Sequence, residues 1–136
     1  MYSELVDAKI SAQLGNKHMD DANMNALDLS LLDELREFMD ADLHILISEF
    51  EEDTRERLLQ VAQAIERRDA ETLRQTAHSL KGGAATLGAV GLSQQFRGLE
   101  LRGRDASFSG IEQDFGNTQR SFEEAMASLN KWLAHV

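Results

Sequence analysis

Cysteine and proline are absent from the 136 residues, and there is only one tryptophan and one tyrosine. Without cysteine there are no disulfides and no thiolate metal ligands, and nothing points to an oxidising compartment. Without proline, and with so few aromatics, the chain reads as nearly all helix. No apolar run approaches the roughly 20 residues needed to cross a bilayer, and Met1 to Gly15 lacks a basic segment followed by an apolar one, so a soluble cytoplasmic protein is the expectation. Basic residues are also scarce: 14 Lys and Arg stand against 24 Asp and Glu, a net charge of -10. A nucleic-acid partner is thereby disfavoured, because the phosphate backbone is bound by clustered cations.

What is present is apolar periodicity. At 42% hydrophobic the chain can bury one core. Leu5, Val6, Ile10 and Leu14 suggest a short amphipathic helix in an N-terminal extension, residues 1–26, whose second half is polar. Asp28 or Ser30 can cap a short helix carrying Leu29, Leu32, Leu35, Phe38 and Met39, and Asp40 to Asp42 breaks and restarts it. Leu43, Ile47, Phe50, Thr54, Leu58, Val61 and Ile65 then recur at steps of four and three, the mark of a long helix with one buried stripe. Asp69 can cap the next helix, Gly88 and Gly91 mark a turn, and Val90, Leu92, Phe96, Leu99 and Gly103 line a fourth. After a turn region from Gly103 to Gly110, Phe115, Thr118, Phe122, Ala125, Met126, Leu129 and Leu133 line the last helix. Long helices with short connections predict an all-α, antiparallel four-helix bundle over residues 27–136, with the short helix across one end.

Between Thr72 and Gly88 two faces separate. Leu73, Thr76, Ala77, Leu80, Gly83, Ala84 and Leu87 form the buried stripe. His78 lies opposite, sharing the outer side with Glu71, Arg74, Gln75, Lys81, Gly82 and Ala85. A helix-interior glycine costs roughly 1 kcal/mol relative to alanine, so Gly82 calls for a reason, and leaving space beside His78 for another molecule is one. From Asp69 to Arg104 the charge balance also reverses, with five basic residues against three acidic ones. A basic surface around an exposed imidazole suits an anionic group or an acidic partner site.

Catalytic motifs are missing. There is no nucleophile elbow, Walker loop, His-Glu-x-x-His zinc motif or Gly-rich ATP lid, and Gly82-Gly83 falls inside a helical period. A di-metal bundle needs inward Glu-x-x-His pairs on two helices, and none occurs, so no metal site is expected. His44 and His135 have no ligand spacing. The remaining chemistry for His78 is that of a carrier: neutral imidazole, with an ordinary pKa of about 6.5, is a good nucleophile near neutral pH.

His78-Ser79-Leu80-Lys81-Gly82, followed by Leu87-Gly88 and Leu99-Glu100, resembles the signature of histidine-containing phosphotransfer (HPt) domains, and the helical pattern can be followed from Leu27 to Val136. The resemblance implies a passive phosphocarrier rather than an enzyme. His78 would accept a phosphoryl group on Nε2 from a receiver-domain aspartate of a hybrid sensor kinase and pass it to a response-regulator receiver. Lys81 would offset phosphoryl charge, Gly82 would admit the receiver loop, and Glu100 would hydrogen-bond Nδ1, as a glutamate at this offset does in the related domains of chemotaxis kinases. No cofactor is implied in this chain, Mg2+ being supplied by the receiver.

The partner rim is expected at Arg74, Gln75, Ala85, Arg97 and Arg104, with apolar contact from the Leu29 to Leu46 region, which has more Leu and Ile than one core stripe needs. A monomer is expected, since a carrier needs an unblocked His78. Two alternatives stay open here: a detached kinase phosphotransfer domain served by a separate ATP-binding domain, and a receiver-binding bundle that carries no phosphate.

Overall fold

The computed structural model describes residues 27–135, which form five helices. The expected N-terminal helix around Leu5 to Leu14 lies outside the described residues. Helix α1 spans Leu29–Met39, α2 Asp42–Arg67, α3 Ala70–Thr86, α4 Val90–Arg104 and α5 Ile111–Leu133. Each of the last four packs on its chain neighbours, and α5 closes the ring against α2, which is the antiparallel four-helix bundle.

Local chemistry sets the boundaries. The Asp28 carboxylate accepts from the Leu31 N–H at 3.0 Å and caps α1. Asp40, at φ 51°, ends that helix, and α2 restarts two residues later. Arg68 adopts the left-handed conformation at the end of α2, and Asp69 caps α3 by accepting from the Thr72 N–H at 3.1 Å. At the next turn Gly88 takes φ +69°, and a side chain there would press on the Asp28 carbonyl at 3.2 Å, so both conformation and space require glycine. Gly91 is not part of that turn. It lies buried in the first turn of α4.

The α1 helix lies across one end of the bundle. Its entry is tied to the α3–α4 turn by the Asp28 N–H donating to the Gly88 carbonyl at 2.8 Å, beside a bridge between Leu27 and Ala89. Its exit meets the end of α5, where Arg36 stacks 3.7 Å over the Trp132 ring and donates to the Trp132 carbonyl. The phase of α1, which its few residues leave open in the sequence, is settled in the fold: Leu31, Leu32 and Leu35 are buried, while Leu29 is 54% and Phe38 90% exposed. An isolated short helix has no register of its own, and contact with the bundle end selects which leucines turn inward.

The long-helix stripe holds throughout: Leu43, Ile47, Thr54, Leu58, Val61 and Ile65 are buried, with Phe50 half-buried against Phe122. Phe96, Phe122, Leu73, Leu92, Leu99 and Leu129 fill the centre. Deleting a ring such as Phe96 would cost about 3–5 kcal/mol. Polar ties lie at the helix seams, Arg102 to Asp114 at 2.8 Å between α4 and α5 and Arg55 to Glu123 at 2.7 Å between α2 and α5.

Candidate functional site

His78 occupies the middle of α3, held there by Leu73, Ala77, Leu80 and Ala84, which anchor the opposite face in the core. Its side chain is 62% exposed. Because α4 runs antiparallel to α3, Glu100 comes alongside it, and its carboxylate bridges two groups of α3. One oxygen lies 2.8 Å from His78 Nδ1 and the other 2.8 Å from Lys81 Nζ. Glu100 is only 17% exposed. That burial works against ionisation, but the hydrogen bonds from Lys81 and His78 outweigh it and hold the carboxyl below the ordinary glutamate range.

An ionised carboxylate can only accept, so Nδ1 must carry the proton in the contact with Glu100. In the neutral ring this leaves the Nε2 lone pair free. The arrangement thus presents an exposed imidazole as a nucleophile in one tautomer, with an ammonium group one turn away.

Beside Lys81 and Glu100 an open groove of about 300 Å³ runs between α3 and α4, lined also by Arg74, Arg97, Leu101 and Arg104. Arg74 is turned toward Glu71 at 2.6 Å and Arg104 toward Asp105 at 3.0 Å, so both reach the groove while paired on their own helix ends. Gln75 is exposed, and a side chain at Gly82 would meet nothing within 4 Å. Among the described residues no three His, Asp or Glu side chains converge as a metal site, and no helix is long and apolar enough to cross a membrane.

Two sequence placements change. Ala85 shares the azimuth of His78 but is buried, at 4% exposure: two turns further on the helix reaches the end of the bundle, where the Ala85 carbonyl accepts from the Gly88 N–H of the α3–α4 turn. It cannot form part of an exposed rim. Gly83, expected in the buried stripe, is exposed and borders the Phe50 ring. Sequence reasoning missed Leu101 in the groove. Its i+4 spacing from Arg97 was the available signal.

Comparisons with known proteins agree with this geometry. A family model described as the Hpt domain matches residues 45–132, more than half of the chain. Among solved structures, the crystal structure of histidine-containing phosphotransfer protein B (HptB) from Pseudomonas aeruginosa PAO1 is similar at 30% identity and a TM-score of 0.76. The match covers 81% of this chain and 96% of that one. No curated protein matches. With an exposed mid-helix histidine on a four-helix bundle and a family match spanning the helix that carries it, the chain belongs to the Hpt domain family, the histidine phosphotransfer proteins of phosphorelays.

Proposed function

We propose that His78 is the phosphoacceptor, taking the group from a receiver aspartate of a hybrid sensor kinase and passing it to a response-regulator receiver in the cytoplasm. The observation that carries this reading is the contact between His78 Nδ1 and Glu100 at 2.8 Å on an otherwise exposed ring. The Nε2 lone pair attacks phosphorus, the bond from phosphorus to the donor carboxylate oxygen breaks, and the free carboxylate leaves with that electron pair. The Nδ1 proton stays on the ring, where Glu100 stabilises the positive charge that develops. Onward transfer reverses these steps on a second aspartate.

Lys81 stands one turn from His78 and can shift from Glu100 toward the phosphoryl oxygens. The Mg2+ that assists the acyl phosphate belongs to the receiver, and this chain works as a monomeric carrier without a cofactor of its own. Gly82 leaves room for the receiver's active-site loop. Exposed Leu29, Phe38 and Ile45 supply apolar contact, and the groove with Arg74, Arg97 and Arg104 faces the acidic receiver site.

The test is labelling of the full chain by phosphorylated receivers. Wild type should acquire acid-labile, base-stable phosphate, and His78→Gln should acquire none while still binding receivers and melting nearly as wild type, because an exposed side chain adds little to the core. A Gln variant that labels with the same stability would rule out His78. The Glu100 contact also favours a second reading, in which a separate ATP-binding kinase domain is the donor. Labelling by such a domain with ATP, but by no receiver, would select it.

A further inference from the structure

Gly103 lies one turn beyond Glu100 on α4, and there α4 meets α3 backbone to backbone. A side-chain carbon at Gly103 would lie 2.6 Å from the Arg74 nitrogen, 2.8 Å from the Arg74 Cα and 2.9 Å from the Ala70 carbonyl oxygen. Ordinary contacts between such atoms are about 3.5–4.0 Å. Because the obstructing atoms are helix backbone, none can swing aside. Gly98, on the same helix, would meet nothing within 4 Å, so the demand for an absent side chain is local to the crossing.

The two helices pair as an antiparallel ladder. Gly103 lies against Arg74, and one turn along each helix Glu100 lies against His78. Closer to the start of α4, the Ser93 hydroxyl donates to the Lys81 carbonyl at 3.2 Å. We infer that Gly103 is a positioning residue for phosphotransfer: its missing side chain sets the α3–α4 spacing at which the Glu100 carboxylate reaches His78 and Lys81. The inference rests on the reading of Glu100 as the group that orients the imidazole.

The distances make the spacing critical. Relieving a 2.6 Å contact to about 3.4 Å moves the backbone by about 0.8 Å. Carried one turn along α4, such a shift stretches a 2.8 Å hydrogen bond to about 3.6 Å, beyond the range in which one exists.

The experiment uses the full chain with ¹⁵N-labelled imidazoles, reading the His78 tautomer by NMR and the transfer rate from a phosphorylated receiver. Gly103→Ala should lose the excess of the Nδ1–H tautomer and slow transfer, by less than Glu100→Gln because the displaced carboxylate keeps its charge near the ring. The double variant should be no slower than Glu100→Gln alone. Gly98→Ala should match wild type in both readouts. Should Gly103→Ala fold poorly, the measurement is repeated in a Gly98→Ala, Gly116→Ala background, where two helix-interior glycines without contacts are replaced by a better helix former.

Glu100→Asp tests the same spacing without touching the crossing. Shortened by one carbon, the carboxylate should lose His78, with the same change of tautomer. Wild-type tautomer and rate in Gly103→Ala or in Glu100→Asp would overturn the inference, as would a double variant whose losses multiply. If Glu100→Gln alone leaves both readouts unchanged, the orienting role of Glu100 fails and Gly103 has no such role. If Glu100→Gln acts and Gly103→Ala does not, only the Gly103 inference falls.

Discussion

Glu100→Gln is the substitution whose effect can be worked furthest from the geometry. Gln keeps the shape but removes the charge, and its amide can accept from or donate to Nδ1, so it no longer selects a tautomer. A hydrogen bond to a charged group contributes roughly 1.5–3 kcal/mol, and with His78 62% exposed solvent screening reduces this to about 1–1.5 kcal/mol. Charge develops on the ring during attack. A unit charge about 4 Å from the carboxylate, at an effective dielectric between 20 and 80, gains about 1–4 kcal/mol. Lys81, 2.8 Å from the other oxygen, offsets part of that gain.

The sum that survives is about 1.4–2 kcal/mol, or transfer slower by about 10- to 30-fold at saturating donor. Rapid-quench measurement with a phosphorylated receiver gives the rate, and a thermal melt checks that the bundle persists. A Glu100→Gln rate within twofold of wild type, with the melt unchanged, would refute the reasoning, because neither tautomer selection nor charge stabilisation could then be limiting.

Lys81→Ala should slow transfer several-fold, and the wild-type association rate should fall as salt is raised from about 0.05 to 0.5 M, since the basic groove acts on encounter; stopped-flow rates insensitive to both would remove the electrostatic part of the mechanism. Phe38→Ser should leave the melting temperature within the error of the measurement, its ring being 90% exposed, yet weaken receiver binding in a titration; unaltered affinity would exclude Phe38 from the docking surface. Acidification should destabilise the bundle through Glu100 and Asp69. Hydrogen bonds from the Thr72 hydroxyl and N–H hold the Asp69 carboxyl below the ordinary aspartate value of 3.8, and Glu100 is held below 4.5. A depressed folded pKa means that the unfolded chain binds more protons, so the stabilisation is present above those ordinary values and is lost as pH falls through the lower folded ones. Melts between about pH 3 and 6 should show this slope, flatter in Asp69→Asn, and an identical slope in that variant would show that its cap does not titrate with folding.

The helices were legible because each carries a continuous apolar stripe that any packed partner would bury. Leu43 to Ile65 and Val90 to Gly103 are buried at the positions that periodicity names, and Asp28 and Asp69 cap where short acidic residues precede such stripes. The outward face of His78 followed from the same rule, since Leu73, Ala77 and Leu80 commit the other side of α3 to the core. Where the rule has too few turns to average over, it leaves the phase open. In α1 the sequence allows more than one phase, and contact with the bundle end buried Leu31 and left Phe38 in water.

By itself the sequence determined most of the inward-facing residues of the four long helices, where most of the helices begin and end, and that an exposed histidine stands one turn before Lys81. Such properties follow from local geometry, 3.6 residues per turn and the needs of helix ends. Only the tertiary structure decided what stands beside that histidine. The pairing of Glu100 with His78 and Lys81 and the backbone contact at Gly103 depend on how closely α4 approaches α3, and the burial of Ala85 on where α3 ends in the bundle. Periodicity gives a residue its azimuth on one helix, but the distance to a neighbouring helix is set by the side chains both present at the crossing, here by the absence of one.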